Sequence, residues 1–186
     1  LYIYNFPART GYDVKPEIVL NLLRRHKNIV GLKDSVSEMG HTRSILTMVR
    51  EEFPEFEVYC GFDENLIHNA ACGGAGCIGA LSNVYPELLV SWQEAVNRKD
   101  WDTAFALQKK VDMLMGIYDI NPFFIGTIKK AMILRGVQMK DCCKKPVLSA
   151  TEPETGRLKA IKEAGVLKVA TSPDYPPYEF EDITKD

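Results

Sequence analysis

Four short apolar segments recur along the first half of the chain, each followed by a stretch with helical periodicity, and this alternation constrains the fold more than any other feature. They run from Leu1 to Pro7, Ile29 to Asp34, Phe56 to Phe62 and Cys77 to Ser82. Segments this short, apolar on both faces, suit parallel strands buried between layers. The stretches between them carry helix punctuation. Pro16 opens the first, with Ile18, Val19, Leu22 and Leu23 on one stripe, and the second starts near Ser37 with Ile45, Leu46, Val49 and Phe53 on one side. Asp63 is placed to cap the third, which ends at Gly73-Gly74, and Pro86 opens a fourth with Leu88, Leu89, Trp92, Ala95 and Val96 inward. Such alternation builds right-handed βαβ units into an α/β parallel sheet or barrel.

The strands then stop. Asp100 to about Tyr118 reads as a long amphipathic helix with Trp101, Ala104, Phe105, Val111, Leu114 and Met115 on its apolar stripe. Asn121-Pro122 starts another helix that runs to Gly136. A loop from Cys142 to Glu154 and a shorter helix from about Gly156 to Ala164 follow. The expected organisation is residues 1–97 as four βα units, 98–166 as a helical extension, and 167–186 as a tail of different character.

Composition narrows the function. A formal charge of −2 without a large block of one sign makes neither nucleic acid nor an anionic membrane an obvious partner. Five cysteines without a repeated C-x-x-C argue against a disulfide framework and a zinc site, and suit buried thiols in a reducing cytoplasm. No cofactor and no metal are expected.

Lys33 is the most informative residue. It lies toward the carboxyl end of an apolar strand, where βα barrels carry their working groups. An amine desolvated there should lose affinity for its proton, and the free amine can attack a ketone to form an imine. The competing reading is a strand-end lysine whose head reaches solvent. Tyr4 occupies the same end of the preceding strand. Parallel strands lie about 4.8 Å apart, so its phenol could exchange a proton with an intermediate on Lys33; a core tyrosine is the alternative. Arg9, on the loop after the first strand, suits a carboxylate-bearing substrate, and an exposed arginine without a role fits equally. Gly61 and Ile78 could wall a small keto-acid pocket, though each alone is more often a packing residue. Ser82-Asn83 could donate hydrogen bonds or cap the next helix. Gly73-Gly74-Ala75-Gly76 lacks the lysine of a phosphate-binding loop and reads as a tight turn.

Together these motifs resemble the dihydrodipicolinate synthase / N-acetylneuraminate lyase family of pyruvate-dependent class I aldolases. Tyr4-Asn5-Phe6-Pro7-Ala8-Arg9-Thr10-Gly11 resembles the segment around its proton-relay tyrosine, and Ile29-Val30-Gly31-Leu32-Lys33-Asp34-Ser35 its Schiff-base lysine strand. Gly61-Phe62-Asp63 and Gly76-Cys77-Ile78-Gly79 resemble its seventh and eighth strands. The resemblance runs from Leu1 to about Leu167. It implies the C-terminal half of a (β/α)8 TIM barrel with a helical extension, and a tetramer in the intact family. It further implies pyruvate, or the pyruvyl part of a longer keto acid, held on Lys33 while Tyr4 moves protons, with Gly61 and Ile78 beside it. Phe6-Pro7-Ala8, Lys33-Asp34 and Gly40-His41 resemble the 2-keto-3-deoxy-sugar-acid aldolases. Arg9 instead resembles the 4-hydroxy-tetrahydrodipicolinate synthases, where it faces the carboxylate of the second substrate.

The family's first four strands and their Thr/Gly-rich loop have no counterpart here, so upstream sequence is expected and the 186-residue chain alone is not expected to turn over. The stretch from Lys159 to Phe180 resembles the beginning of a periplasmic amino-acid-binding protein of an ABC transporter, with Tyr175 as a ligand-stacking aromatic. Too short to bury a core of its own, that tail is expected to be disordered or loosely docked. An amino-acid-binding module therefore stands as an alternative reading of this segment alone.

Overall fold

In the computed structural model, residues 1–164 are described. The tail from 167 to 186, with its expected strand and Tyr175, lies outside the described residues.

Four parallel strands form one sheet in the order β1 (Tyr2–Asn5), β2 (Gly31–Asp34), β3 (Glu57–Cys60) and β4 (Gly76–Cys77). Sequential order and parallel pairing require a crossover between each pair. These are α1 (Pro7–Thr10) with α2 (Pro16–Arg25), then α3 (Met39–Val49), then a 3-10 turn (Asp63–Asn65) leading into α4 (Leu66–Ala71). The chain continues through α5 (Leu81–Val84), α6 (Pro86–Asn97), α7 (Trp101–Met115), α8 (Ile125–Leu134) and α9 (Glu152–Ala164). Among the described residues, no helix is long and apolar enough to cross a membrane.

The prolines act where expected. Pro16 and Pro86 sit in the first turns of α2 and α6, where the missing N–H costs nothing. The Asp100 carboxylate accepts the Thr103 backbone N–H at 3.2 Å and starts α7.

The sheet has two unlike faces, because side chains alternate along each strand. On one face Leu32 and Val58, both fully buried, pack with Val19 and Leu23 of α2 and with Ile45, Leu46 and Val49 of α3. Burial of each such aliphatic side chain contributes about 1.5–3 kcal/mol. The other face carries Tyr2, Tyr4, Lys33, Glu57 and Tyr59, and nothing among the described residues covers it as a second layer. Tyr2 and Tyr4 are about half exposed there. The expected burial on both faces is therefore met only on the helix side.

Four local expectations are corrected. The fourth strand is two residues long and starts one residue early, because the chain turns after Ile78 and enters α5 at Leu81. Asp63 makes no capping bond to its own helix; its carboxylate is used by distant donors described below. Trp101 and Phe105 stack on each other, ring centroids 6.4 Å apart, and are exposed rather than inward. The last helix begins at Glu152, taking Pro153 into its first turn, where the sequence reads as loop.

Helices α7 to α9 have no core of their own. Ala104, Val111, Ile117, Ile128, Ala131, Leu158 and Ile161 share one apolar cluster with Leu66, Leu81 and the fully buried Trp92. Packing is therefore continuous from the βα units into these last helices.

Candidate active site

The site forms at the carboxyl ends of the strands. Tyr4 pairs in register with Lys33, and Lys33 pairs with Tyr59, so all three side chains project from the open face. The Lys33 amine lies over the Tyr4 ring, 5.1 Å from its centroid. Lys33 is half-buried. Beneath this row, Tyr2 and Tyr59 both donate their hydroxyls to the Glu57 carboxylate, the second at 3.2 Å, and the bond to Glu57 pushes the Tyr2 phenol up to about 12. That layer is a floor of side chains of the kind that fills barrel interiors.

The backbone ladder runs one residue past each strand. Ser35 N–H donates to Asn5 O at 2.8 Å, Gly61 N–H to Asp34 O at 2.8 Å, and Ile78 N–H to Cys60 O at 2.9 Å. These three bonds set Ser35, Gly61 and Ile78 side by side above Lys33. Only glycine fits at position 61, since an added Cβ would lie 1.9 Å from Ser35 Oγ and 2.8 Å from Ser35 Cα. A cavity of about 180 Å³ results, lined by Tyr4, Lys33, Gly61 and Ile78 together with Phe6, Ser35, Phe62, Gly79, Ala80, Asn83, Tyr118 and Phe124. Among the described residues, Lys33 is the one cationic side chain in this lining. A keto acid placed here would meet an amine and a phenol in an otherwise largely neutral pocket.

Arg9 is not brought into the cavity. Its guanidinium donates to Pro122 O and lies against the rings of Phe123 and Phe6, at 5.0 and 5.8 Å from their centroids. Asn83 reaches the lining, while its amide and the Ser82 hydroxyl bond locally to Ala80 O and Gly79 O.

Sequence reasoning missed the far wall. Tyr118 and Phe124 come from the helical extension, their rings packed edge-on at 4.8 Å. The Tyr118 hydroxyl donates to Asp63 Oδ2 at 2.6 Å and accepts the Ala80 N–H at 3.0 Å; Leu81 N–H also donates to Asp63 Oδ2, at 3.3 Å. Burial raises the Asp63 carboxyl above its ordinary range. The extension is thereby bolted to the end of β4, and no periodicity in the sequence signals a contact across 55 residues.

Four sequential parallel strands, with a lysine and a tyrosine at their carboxyl ends, have the architecture of half of a (β/α)8 barrel. The chain belongs to the dihydrodipicolinate synthetase family, whose signature spans residues 1–164. It is 37% identical over 168 residues to the probable 2-dehydro-3-deoxy-D-pentonate aldolase YjhH of Escherichia coli K12, covering 90% of this chain and 56% of that protein. It is 32% identical over 161 residues to the 4-hydroxy-tetrahydrodipicolinate synthase of Methanospirillum hungatei, covering 86% and 53%. Among solved structures it superposes on YagE, a prophage protein of the dihydrodipicolinic acid synthase family from E. coli K12 in complex with pyruvate. The TM-score is 0.84 at 30% identity, covering 90% of this chain and 56% of that one. The chain thus spans about half the length of the relatives it matches.

Proposed function

We propose that this chain carries the imine-forming half of a pyruvate-dependent class I carbon–carbon lyase that cleaves 2-keto-3-deoxy sugar acids. The observation that carries the reading is the register pairing of Tyr4 with Lys33 at the mouth of a small cavity that Gly61 and Ile78 also line.

The Lys33 amine adds to the C2 ketone, and loss of water from the carbinolamine leaves a protonated imine. Tyr4 gives and takes the protons of that step. In the retro-aldol step the C4 hydroxyl loses its proton toward Tyr4, the C3–C4 bond breaks, and its electron pair passes into the imine to give an enamine and a free aldehyde. Protonation at C3 and hydrolysis then release pyruvate and restore the amine. The sequence of steps balances without an added oxidant or reductant.

The reading assigns residues 1–97 to the barrel half, 98–166 to the extension and 167–186 to a separate tail. In the whole protein it expects a homo-oligomer, a tetramer as the family resemblance implies, in a reducing cytoplasm where the five free thiols persist. A second reading, 4-hydroxy-tetrahydrodipicolinate synthase, is favoured by Arg9 and by the M. hungatei relative. It requires Arg9 to leave Pro122 O and turn toward the cavity.

Borohydride reduction in the presence of pyruvate, read by peptide mass, tests the proposal. A pyruvyl adduct concentrated on Lys33 and lost in Lys33→Arg is expected. Labelling spread over surface lysines with no preference for Lys33 overturns it.

A further inference from the structure

Directly behind the Tyr4/Lys33 pair, on the helix side of the sheet, sits a polar cluster that the reaction above does not use. Asn5 follows Tyr4 on β1 and Asp34 follows Lys33 on β2, and the two are register partners. Asn5 is fully buried and Asp34 nearly so. The Asp34 carboxylate accepts Asn5 Nδ2 at 2.9 Å, Thr42 Oγ1 at 2.8 Å, and His41 Nδ1 at 2.9 and 3.0 Å to its two oxygens. A buried carboxyl group with this many donors has its hydrogen bonding satisfied.

The other side of His41 faces acceptors as well. Its Nε2 lies 3.2 Å from Val14 O and 3.3 Å from Asp13 Oδ1, both in the loop between β1 and α2. A carbonyl and a carboxylate can only accept, so both ring nitrogens must carry protons to serve every contact, and the ring in this geometry is an imidazolium. Asn5 joins the same loop, through Nδ2 to Asp13 Oδ1 at 3.2 Å and Oδ1 from Val14 N–H at 3.0 Å. The charged groups facing His41 are Asp34 from β2 and Asp13 from the loop, with Lys15 on the far side of Asp13 at 2.5 Å and Glu38 at the start of α3. The bond to Asp34 and the two negative charges hold the imidazole above its ordinary value against the effect of burial.

We propose that His41, as an imidazolium, is a positioning residue for imine formation: bridging Asp34 to the loop after β1, it fixes the register in which Tyr4 meets Lys33. On deprotonation one nitrogen becomes an acceptor facing an acceptor, and either the Asp34 bond or the loop tether is lost. A small misplacement of a reacting pair lowers its rate by an order of magnitude or more, so trapping at Lys33 falls about 10-fold in His41→Asn.

The inference rests on the function proposed above, and the test separates the two. Trapping rate at Lys33 is followed against pH in the 186-residue chain and in His41→Asn, alongside an NMR titration of the imidazole nitrogens and the Tyr4 and Lys33 amides in the unsubstituted chain. The expected result is one midpoint shared by His41 and both amides, and a matching fall in the trapping rate that the variant lacks. If Lys33 is never labelled, the function fails and the NMR titration alone judges His41. Amides that ignore the His41 titration, or trapping profiles that coincide in the two proteins, overturn the inference. The titration needs no variant, so a substitution that fails to fold leaves it intact.

Discussion

Tyr4 and Lys33 are register partners on β1 and β2, and the lysine amine lies 5.1 Å from the centroid of the tyrosine ring. The pairing follows from parallel strands joined by one βα crossover, and it places a phenol beside an amine on the face of the sheet that no helix covers among the described residues.

Removing the phenol hydroxyl tests that pairing. Tyr4→Phe keeps the ring against Lys33 and should slow formation of the trapped pyruvyl adduct about 100-fold, the scale of lost proton transfer. Because Tyr4 is half exposed, its melting temperature should stay close to that of the unsubstituted chain, within the roughly 0.5 kcal/mol typical of surface changes.

Gly61→Ala forces a methyl group against Ser35. A contact with Ser35 Cα at 2.8 Å involves backbone and cannot be relieved by rotating a side chain. Denaturant unfolding should show a loss of about 1–3 kcal/mol, the usual cost of overpacking. Adding Ser35→Gly should recover only part of it.

The charge on His41 makes stability depend on pH. Its folded value is raised above 6.5, so the stabilisation is fully present below about pH 6.5 and is lost as pH rises through the folded value. The urea midpoint of the unsubstituted chain should therefore fall relative to that of His41→Asn on the alkaline side of that window.

Asp63 has the same sign for a different reason. Its folded carboxyl titrates above 3.8 because burial disfavours the anion, so stability rises as pH falls from neutrality through the folded value. Asp63→Asn removes that rise, and the difference between the two unfolding curves should be largest near neutral pH. Tyr118→Phe takes away a donor to this buried carboxylate and should cost about 1–3 kcal/mol at neutral pH, less in acid.

Much of the candidate site's placement was legible in the sequence because its residues lie at strand ends. An apolar segment closing on Lys33, a second closing on Tyr4 one βα unit earlier, and glycine at position 61 place themselves once the alternation is read. Prolines 16 and 86 are equally local, each acting within the first turn of its own helix.

What only the tertiary structure decided are contacts between groups far apart in sequence. Asp63 has the composition of a helix cap yet serves Tyr118 and Leu81, because a buried carboxylate takes whichever donors the packed chain brings to it. Arg9 lies against Phe123 and Pro122 O, more than a hundred residues away, and Trp101 and Phe105 remain exposed although they fall on an apolar stripe. Periodicity determines which face of an element is apolar and which residues end a strand. Which partner that face meets, and which polar atom finds a donor, depends on the packing of distant segments, and residue spacing alone does not encode it.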